Sequence, residues 1–356
     1  MGTLTAAGGP PPDAAPPAPP TRTPGRRPEP DERPRVRIGT SPVPADRVFR
    51  AVARTAGTLV LVIMALVGTF LTFRGLQAIR RAGWSFLTTA SWEPDAGRFG
   101  IAAVLTGSVL IGLTAITVAL PLALGTSLYI SEYAPARLRR TLVSLVDLMA
   151  AVPSIVFGLW GFYFLMENVT GFARWVATYF GWIPIFKVDG FVPTDPLTPI
   201  TSFKSSTFIA GIVVGLMVTP IATSVMREAF SQAPLGEREG ALALGATRWG
   251  MIRAVVLPFG VGGIIGGTML GLGRALGETI AVFVIISQIF VVQIHVLQSG
   301  TSSVSALIAN QYGESTPVAL SALMAAGLSL FVLTLIVNFA ASSIVARSRS
   351  GASSEA

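Results

Sequence analysis

The chain has 356 residues, of which 51% are hydrophobic and 12% charged. Soluble domains carry roughly 25% charged residues, so an ordinary water-soluble globular protein is excluded and a chain that crosses a membrane several times is indicated. The lack of cysteine excludes disulfides and thiolate metal sites. The net charge of +8 reads as the positive loops of a membrane protein rather than as a nucleic-acid footprint.

The first 45 residues hold 13 of the 25 prolines, as in GGPPPDAAPPAPPTRTPGRRPEP. Such a stretch buries too little apolar surface to offset the entropy of ordering. Residues 1–50 are therefore predicted to be a disordered tail. The first apolar run starts too far from Met1 for a secretory signal.

Six segments follow with the ~20 apolar residues that carry a helix across a hydrocarbon core of ~30 Å. They lie at about 55–75, 101–130, 142–166, 208–229, 255 to beyond 280, and 317–345. The fold expected is all-α, a polytopic bundle of six transmembrane helices. Residues 51–98 hold the first span and an outer loop, 99–346 the core, and 347–356 a short tail. With both termini in the cytoplasm, 18 basic residues fall inside and seven outside. That excess sets the predicted orientation: both ends cytoplasmic.

The third apolar run contains Asp147 and Pro153, in SLVDLMAAVPS. Asp147 is expected to pair with Arg137–Arg140 or with a helix terminus. Pro153, in mid-span, is expected to kink the helix and to mark a gate or a structural bend. The loop at 167–207 includes FARWVATYFGWIPIF, whose aromatics suit a short helix lying at headgroup level on the outer surface.

The fourth and fifth spans are joined by a loop at 231–258 containing EREGALALGATRWGMIRAVVLP. Its polar residues are interleaved with Ala, Leu, Trp249 and Ile252. Gly240 and Gly245 bend a short helix, and Pro258 suits the first turn of the next one. Such a bent hairpin fits a groove on another protein, and an ordinary interfacial loop has the same composition.

The fifth run carries GLGRALGETIAV, with Arg274 and Glu278 four residues apart. An ionisable side chain at a helix centre costs roughly 2.5–3.5 kcal/mol on insertion scales. Spacing i, i+4 lets the two share a face and pair. One reading is a self-compensating ion pair. The other is an anion path in which Arg274 meets oxyanion oxygens through its planar fork and Glu278 orients it, with Thr279 beside them. A helix starting at Pro258 would carry Arg274 ~24 Å inward, toward the outer leaflet. His295, the one histidine, supplies no metal cluster and is expected at the interface.

The loop resembles the cytoplasmic EAA loop of permease subunits of ATP-binding-cassette importers, Glu-Ala-Ala-x3-Gly-x9-Ile-x-Leu-Pro. Glu239, Ala241, Gly245, Leu257 and Pro258 fit that spacing, while Gly240 and Val255 depart from it. GGTMLGLGRALGETIAV, LMAAVPSIVFGLWG and RFGIAAVLTGSVLIGLTAITVALPLALGTSLYISEYAP resemble the PstC-type permease of phosphate importers over about residues 98–345. RALGE also occurs in molybdate and sulfate permeases, which are the alternative.

The resemblance implies a type I importer permease in the bacterial inner membrane, a transport subunit rather than an enzyme. It also implies coupling through Glu239–Gly245, and inorganic phosphate passing Arg274, Glu278 and Thr279. The partners implied are a second, PstA-type permease, two ATPase subunits and an extracytoplasmic phosphate-binding protein, all around the bilayer and with no nucleic acid. Glycines at 262, 263, 266, 267, 271 and 273 suit close packing against a partner permease or a smooth pore wall. Lys187 and Lys204 are the only lysines, and no P-loop G-x-x-x-x-G-K-[ST] is present. ATP and Mg are thus expected on the ATPase partner, with no cofactor bound by this chain and no catalytic residue or metal. G-x-S-x-G and H-E-x-x-H are absent too.

Overall fold

The computed structural model describes residues 44–193 and 199–350. Residues 1–43, where most of the expected tail falls, lie outside that description. The chain divides into two compact units, residues 1–59 and 60–356. In the first, the described part is the opening of α1 (Pro44–Ala82), so residues 44–50 are helical. Asp46 and Arg50 form an i, i+4 ion pair there at 2.9 Å.

The second unit continues α1 and adds α2 (Ser85–Thr88), a two-residue β pair (β1, Trp92–Glu93; β2, Arg98–Phe99), α3 (Ala102–Leu128) and α4 (Ala136–Ala151). There follow α5 (Ser154–Trp160), α6 (Met166–Phe180), α7 (Thr207–Ser231), α8 (Leu235–Ala243) and α9 (Arg248–Met251). Last come α10 (Leu257–Leu276), α11 (Ile280–Ile285), α12 (Val304–Gln311) and α13 (Pro317–Ser350). Six continuous helical stretches are long and apolar enough to cross a membrane: 46–82, 102–133, 154–180, 207–231, 248–276 and 317–344. The all-α expectation holds, with the small β pair as its one addition among the described residues.

The first span is longer at both ends than expected, 46–82 against 55–75, and two others differ in where they begin. The third starts at Ser154 and runs to Phe180, not 142–166. Val152 and Pro153 are extended, and Pro153 is the N-cap of α5. A proline disfavours helix at the residue before it, so it ends α4 rather than kinking a span. Residues 136–151 form a separate helix with no buried residue. The first part of the aromatic segment, residues 172–180, forms the last turns of α6, where Phe172 and Trp175 stack at 5.8 Å, and the rest follows as a turn and a short 3-10 helix at Pro184–Phe186.

The fifth span starts at Arg248, ahead of Pro258. Pro258 is in the first turn of α10, as expected, but the helical stretch reaches it unbroken from Arg248. A π-turn at Ile252–Val256 immediately precedes it. The wider turn relieves the i−4 carbonyl of a hydrogen bond that proline cannot donate.

At the centre, α3 packs on α7 and α10 lies against both. Buried Ile111, Ala115, Val213, Val214, Met217 and Val218 meet Ala281, Val282 and Ile285 of α11. Small residues let the backbones approach. A Cβ added at Gly263 would stand 2.1 Å from Ala229 Cβ, and one at Gly267 would stand 3.0 Å from the Ala222 carbonyl. The glycines at 263, 267 and 271, spaced by four, thus pack against α7 and α3 of this same chain, which replaces the expectation that they meet a partner. Gly266 faces open space.

That difference predicts opposite effects of one change. Gly263→Ala forces the α7–α10 contact apart and is expected to cost about 1–3 kcal/mol. Gly266→Ala meets nothing and restricts the helix backbone, stabilising by about 0.5–1 kcal/mol. Thermal unfolding of the two variants in detergent checks the signs.

Candidate functional site

The apolar run of the fifth span is interrupted at Gly277–Thr279: α10 ends at Leu276 with Gly277 as its C-cap, and α11 begins at Ile280. Arg274 is in the last turn of α10 and is exposed, a position where its charge complements the helix dipole. Glu278 is buried, 8% exposed. Its Oε1 accepts from the Ala281 N–H at 3.2 Å, which satisfies one of the orphan donors at the start of α11. Its carbonyl accepts from Ser305 Oγ at 2.7 Å, and its N–H donates to the Ala275 carbonyl at 3.3 Å. Thr279 is half-buried, and its Oγ1 donates to the Gly277 carbonyl at 3.3 Å.

The expected Arg274–Glu278 pair is not formed: among the described residues no ion pair joins them. Residues four apart share a face only while a helix continues, and Gly277 ends it. The carboxylate then turns inward to cap α11 while the guanidinium stays at the surface. Along the bundle, Arg274 lies close to the midpoints of the helices that α10 crosses. A Cβ at Gly271 would sit 3.4 Å from Ile116 and 3.7 Å from Val218, which fall near the middle of the 102–133 and 207–231 stretches. One turn further on, Arg274 is about 4.5 Å from that level.

After α11 the chain runs without helix from Ile286 to Ser303 and is held by side-chain oxygens. Ser302 Oγ accepts from the Ile289 N–H at 3.0 Å, Ser108 Oγ from the Val304 N–H at 2.9 Å, and Ser303 Oγ from the Ala306 N–H at 3.2 Å. Sequence reasoning missed Ser108, Ser302, Ser303 and Ser305. For Ser302, Ser303 and Ser305 the signal was the polar run SGTSSVS between apolar stretches; Ser108, inside the second span, had none. His295 sits in this segment, 3.5 Å from Asp189. The Lys187 ammonium, hydrogen-bonded to Asp189, holds that carboxyl below the usual carboxylate range.

The α8–α9 hairpin carries the other predicted residues. Glu239 and Gly240 are exposed on α8, and Ala241 is half-buried. Gly245 has φ +87°, the left-handed conformation that ends a helix and that glycine adopts without strain. Thr247 Oγ1 then caps α9 by accepting from the Gly250 N–H at 3.1 Å. Leu235, Leu244 and Trp249 are exposed, Leu244 to 92%. Leu257 packs inward against the cluster of Met226, Phe230, Ile252 and Val256, and Pro258 is exposed. Glu239–Gly245 thus lie on the hairpin, while Leu257 and Pro258 open α10, the helix that carries Arg274 at its other end.

A second buried carboxylate anchors this hairpin. Arg238 meets Glu132, at the end of the second span, at 3.1 Å, with side chains 16% and 4% exposed. Asp147 is exposed on α4 and makes no ion pair among the described residues. It does not pair with Arg137–Arg140: Arg139 instead donates to the Ile130 and Ser131 carbonyls, at the other end of α4.

Residues 119–350 match the family model described as "Binding-protein-dependent transport system inner membrane component". The chain belongs to that family. This inner membrane component is accordingly a multi-pass membrane protein of a transport system, not an enzyme, as the resemblance implied. Its curated relatives include a protein named Phosphate transport system permease protein PstC 2 from Mycobacterium tuberculosis. That relative is 38% identical over 303 residues, covering 84% of this chain and 91% of the relative. The Phosphate transport system permease protein PstC of Xylella fastidiosa is 34% identical, with 82% and 88% covered. A chain of the MetNI methionine ABC transporter in an inward facing conformation is similar over 70% of this chain and 95% of its own, with TM-score 0.49 and 15% identity.

The Glu132–Arg238 contact predicts a double-mutant outcome for this inner membrane component. Arg238→Ala leaves a buried carboxylate unpaired and is expected to destabilise by about 3 kcal/mol or more. Replacing both partners, Glu132→Leu with Arg238→Met, is expected to recover most of that loss. Unfolding midpoints of the single and double variants measure the coupling.

Proposed function

We propose that this chain is the permease subunit of an ATP-driven phosphate importer. The reading is carried by one observation: its curated relatives, matched over most of their length, are named phosphate transport permeases. The exposed Arg274 beside the helix break supplies matching chemistry, since a guanidinium fork meets two oxyanion oxygens at once. A single fixed cation, without a closed cage, suits a passage site that must release what it binds. Glu278 acts by positioning: its carboxylate caps α11 and its carbonyl is held by Ser305, so Arg274 stands at a fixed gap. Thr279 offers its hydroxyl at the same gap.

Both termini are cytoplasmic in this reading, which puts the α8–α9 hairpin on the cytoplasmic side together with the arginine excess. Glu239–Gly245 docks there in a groove of a separate ATPase subunit, which carries ATP and Mg. Leu244 and Trp249, exposed on the hairpin, provide apolar contact, and the continuous helix from Arg248 through Leu276 connects that contact to Arg274. The full assembly comprises this chain, a second PstA-type permease, two ATPase subunits and an external phosphate-binding protein.

Two measurements test the proposal. Arg274→Ala is expected to lower phosphate uptake by more than about tenfold while the complex still assembles, because a charge-assisted contact is lost; undiminished uptake would assign Arg274 to scaffolding. In the reconstituted complex, binding protein loaded with phosphate is expected to stimulate ATP hydrolysis. Stimulation by molybdate or sulfate alone would contradict the phosphate assignment.

A further inference from the structure

At the end of the bundle that carries the α8–α9 hairpin, a cavity of about 180 Å³ is lined by Ile130, Ser131, Arg139, Arg227, Ser231 and Arg238. Its three arginines come from three elements, α4, α7 and α8. Arg139 donates from Nε to the Ile130 carbonyl at 3.0 Å and from Nη2 to the Ser131 carbonyl. Arg238 donates from Nη1 to Glu132 at 3.3 Å and from Nη2 to the Phe230 carbonyl, while its Nε is buried without a partner. Arg227 makes no ion pair or side-chain hydrogen bond among the described residues.

The carboxylates nearby do not balance this charge. Glu132 is engaged by Arg238 and by Ser131 Oγ at 2.7 Å. Glu228, beside Arg227, is exposed and accepts from Gln232 at 3.4 Å. Glu237 and Glu239 are exposed on α8. Three guanidinium groups around one small space repel each other unless an anion joins them. Their planar forks match phosphate oxygens. The space is smaller than the roughly 300–1,000 Å³ of sites for whole small molecules, so it admits a phosphate group but not a nucleotide base and sugar.

We propose that this cavity binds a phosphate group, which ties α8 to the ends of α4 and α7. The group comes either from the head of an acidic phospholipid or from free inorganic phosphate. The site is separate from the break at Gly277–Thr279 and does not depend on which anion the chain transports.

The test uses the assembled transporter, as wild type and with Arg227→Gln, chosen because Arg227 makes no ion pair or side-chain hydrogen bond among the described residues. Retention of phosphatidylglycerol against phosphatidylcholine is followed by native mass spectrometry, and inorganic phosphate binding by calorimetry. Arg227→Gln is expected to weaken one of the two probes by about tenfold or more. Loss of phosphatidylglycerol retention assigns the lipid, and loss of a phosphate-binding event assigns the free anion. Arg227→Lys, which keeps the charge, is expected to restore part of it. Ser231→Asp, which places a carboxylate in the cavity, gives the same loss by competition and serves if Arg227→Gln does not assemble. Unchanged binding of both probes in an assembled variant overturns the proposal.

Discussion

In a hydrocarbon solvent every backbone N–H and C=O has to find its partner inside the protein. The break at Gly277–Thr279 stands under that constraint, and the rest of the site follows from how it is met. The Glu278 carboxylate takes the Ala281 N–H, and Ser305 reaches the Glu278 carbonyl. Ser302 and Ser108 do the same for the nonhelical segment that follows. A charged side chain in this position is therefore a structural acceptor first, and its burial follows from the broken helix.

This arrangement separates the two charges that the sequence places together. Arg274 closes one helix and stays exposed, while Glu278 opens the next and is buried. The separation leaves a guanidinium near the middle of the bundle without a carboxylate partner among the described residues. An exposed, unneutralised arginine is a better anion contact than one already held in an ion pair, because no existing bond has to break. The continuous helix from Arg248 to Leu276 then joins this point to the α8–α9 hairpin, whose own anchor is the buried Glu132–Arg238 contact.

Much of the architecture was legible because length and apolarity alone define a membrane-crossing helix. The second, fourth and sixth spans fall within a few residues of their expected places. The third did not, since hydropathy runs unbroken through LMAAVPSIVFG while the backbone changes direction at Pro153. Pro258 does stand in the first turn of α10, and what the sequence did not show is the π-turn at 252–256 that joins α10 to the helix before it. The Arg274–Glu278 pairing rested on helical spacing and failed at Gly277, a residue whose C-cap role the sequence already permitted. The spacing of Glu239, Ala241 and Gly245 was legible as a bent hairpin because a glycine with positive φ ends α8 there.

The central claim is that the break at Gly277–Thr279 opens onto the path of the transported anion. This chain contains no cysteine, so a single introduced thiol is its only one, and labelling is read on this chain after the subunits are separated. Thr279→Cys in the assembled transporter, treated with a charged aqueous methanethiosulfonate reagent, is expected to react and to be protected by phosphate. Ala275→Cys, at a buried position, is expected to react slowly with or without it. A Thr279→Cys thiol that never reacts, or reacts at a rate indifferent to phosphate, would contradict the account.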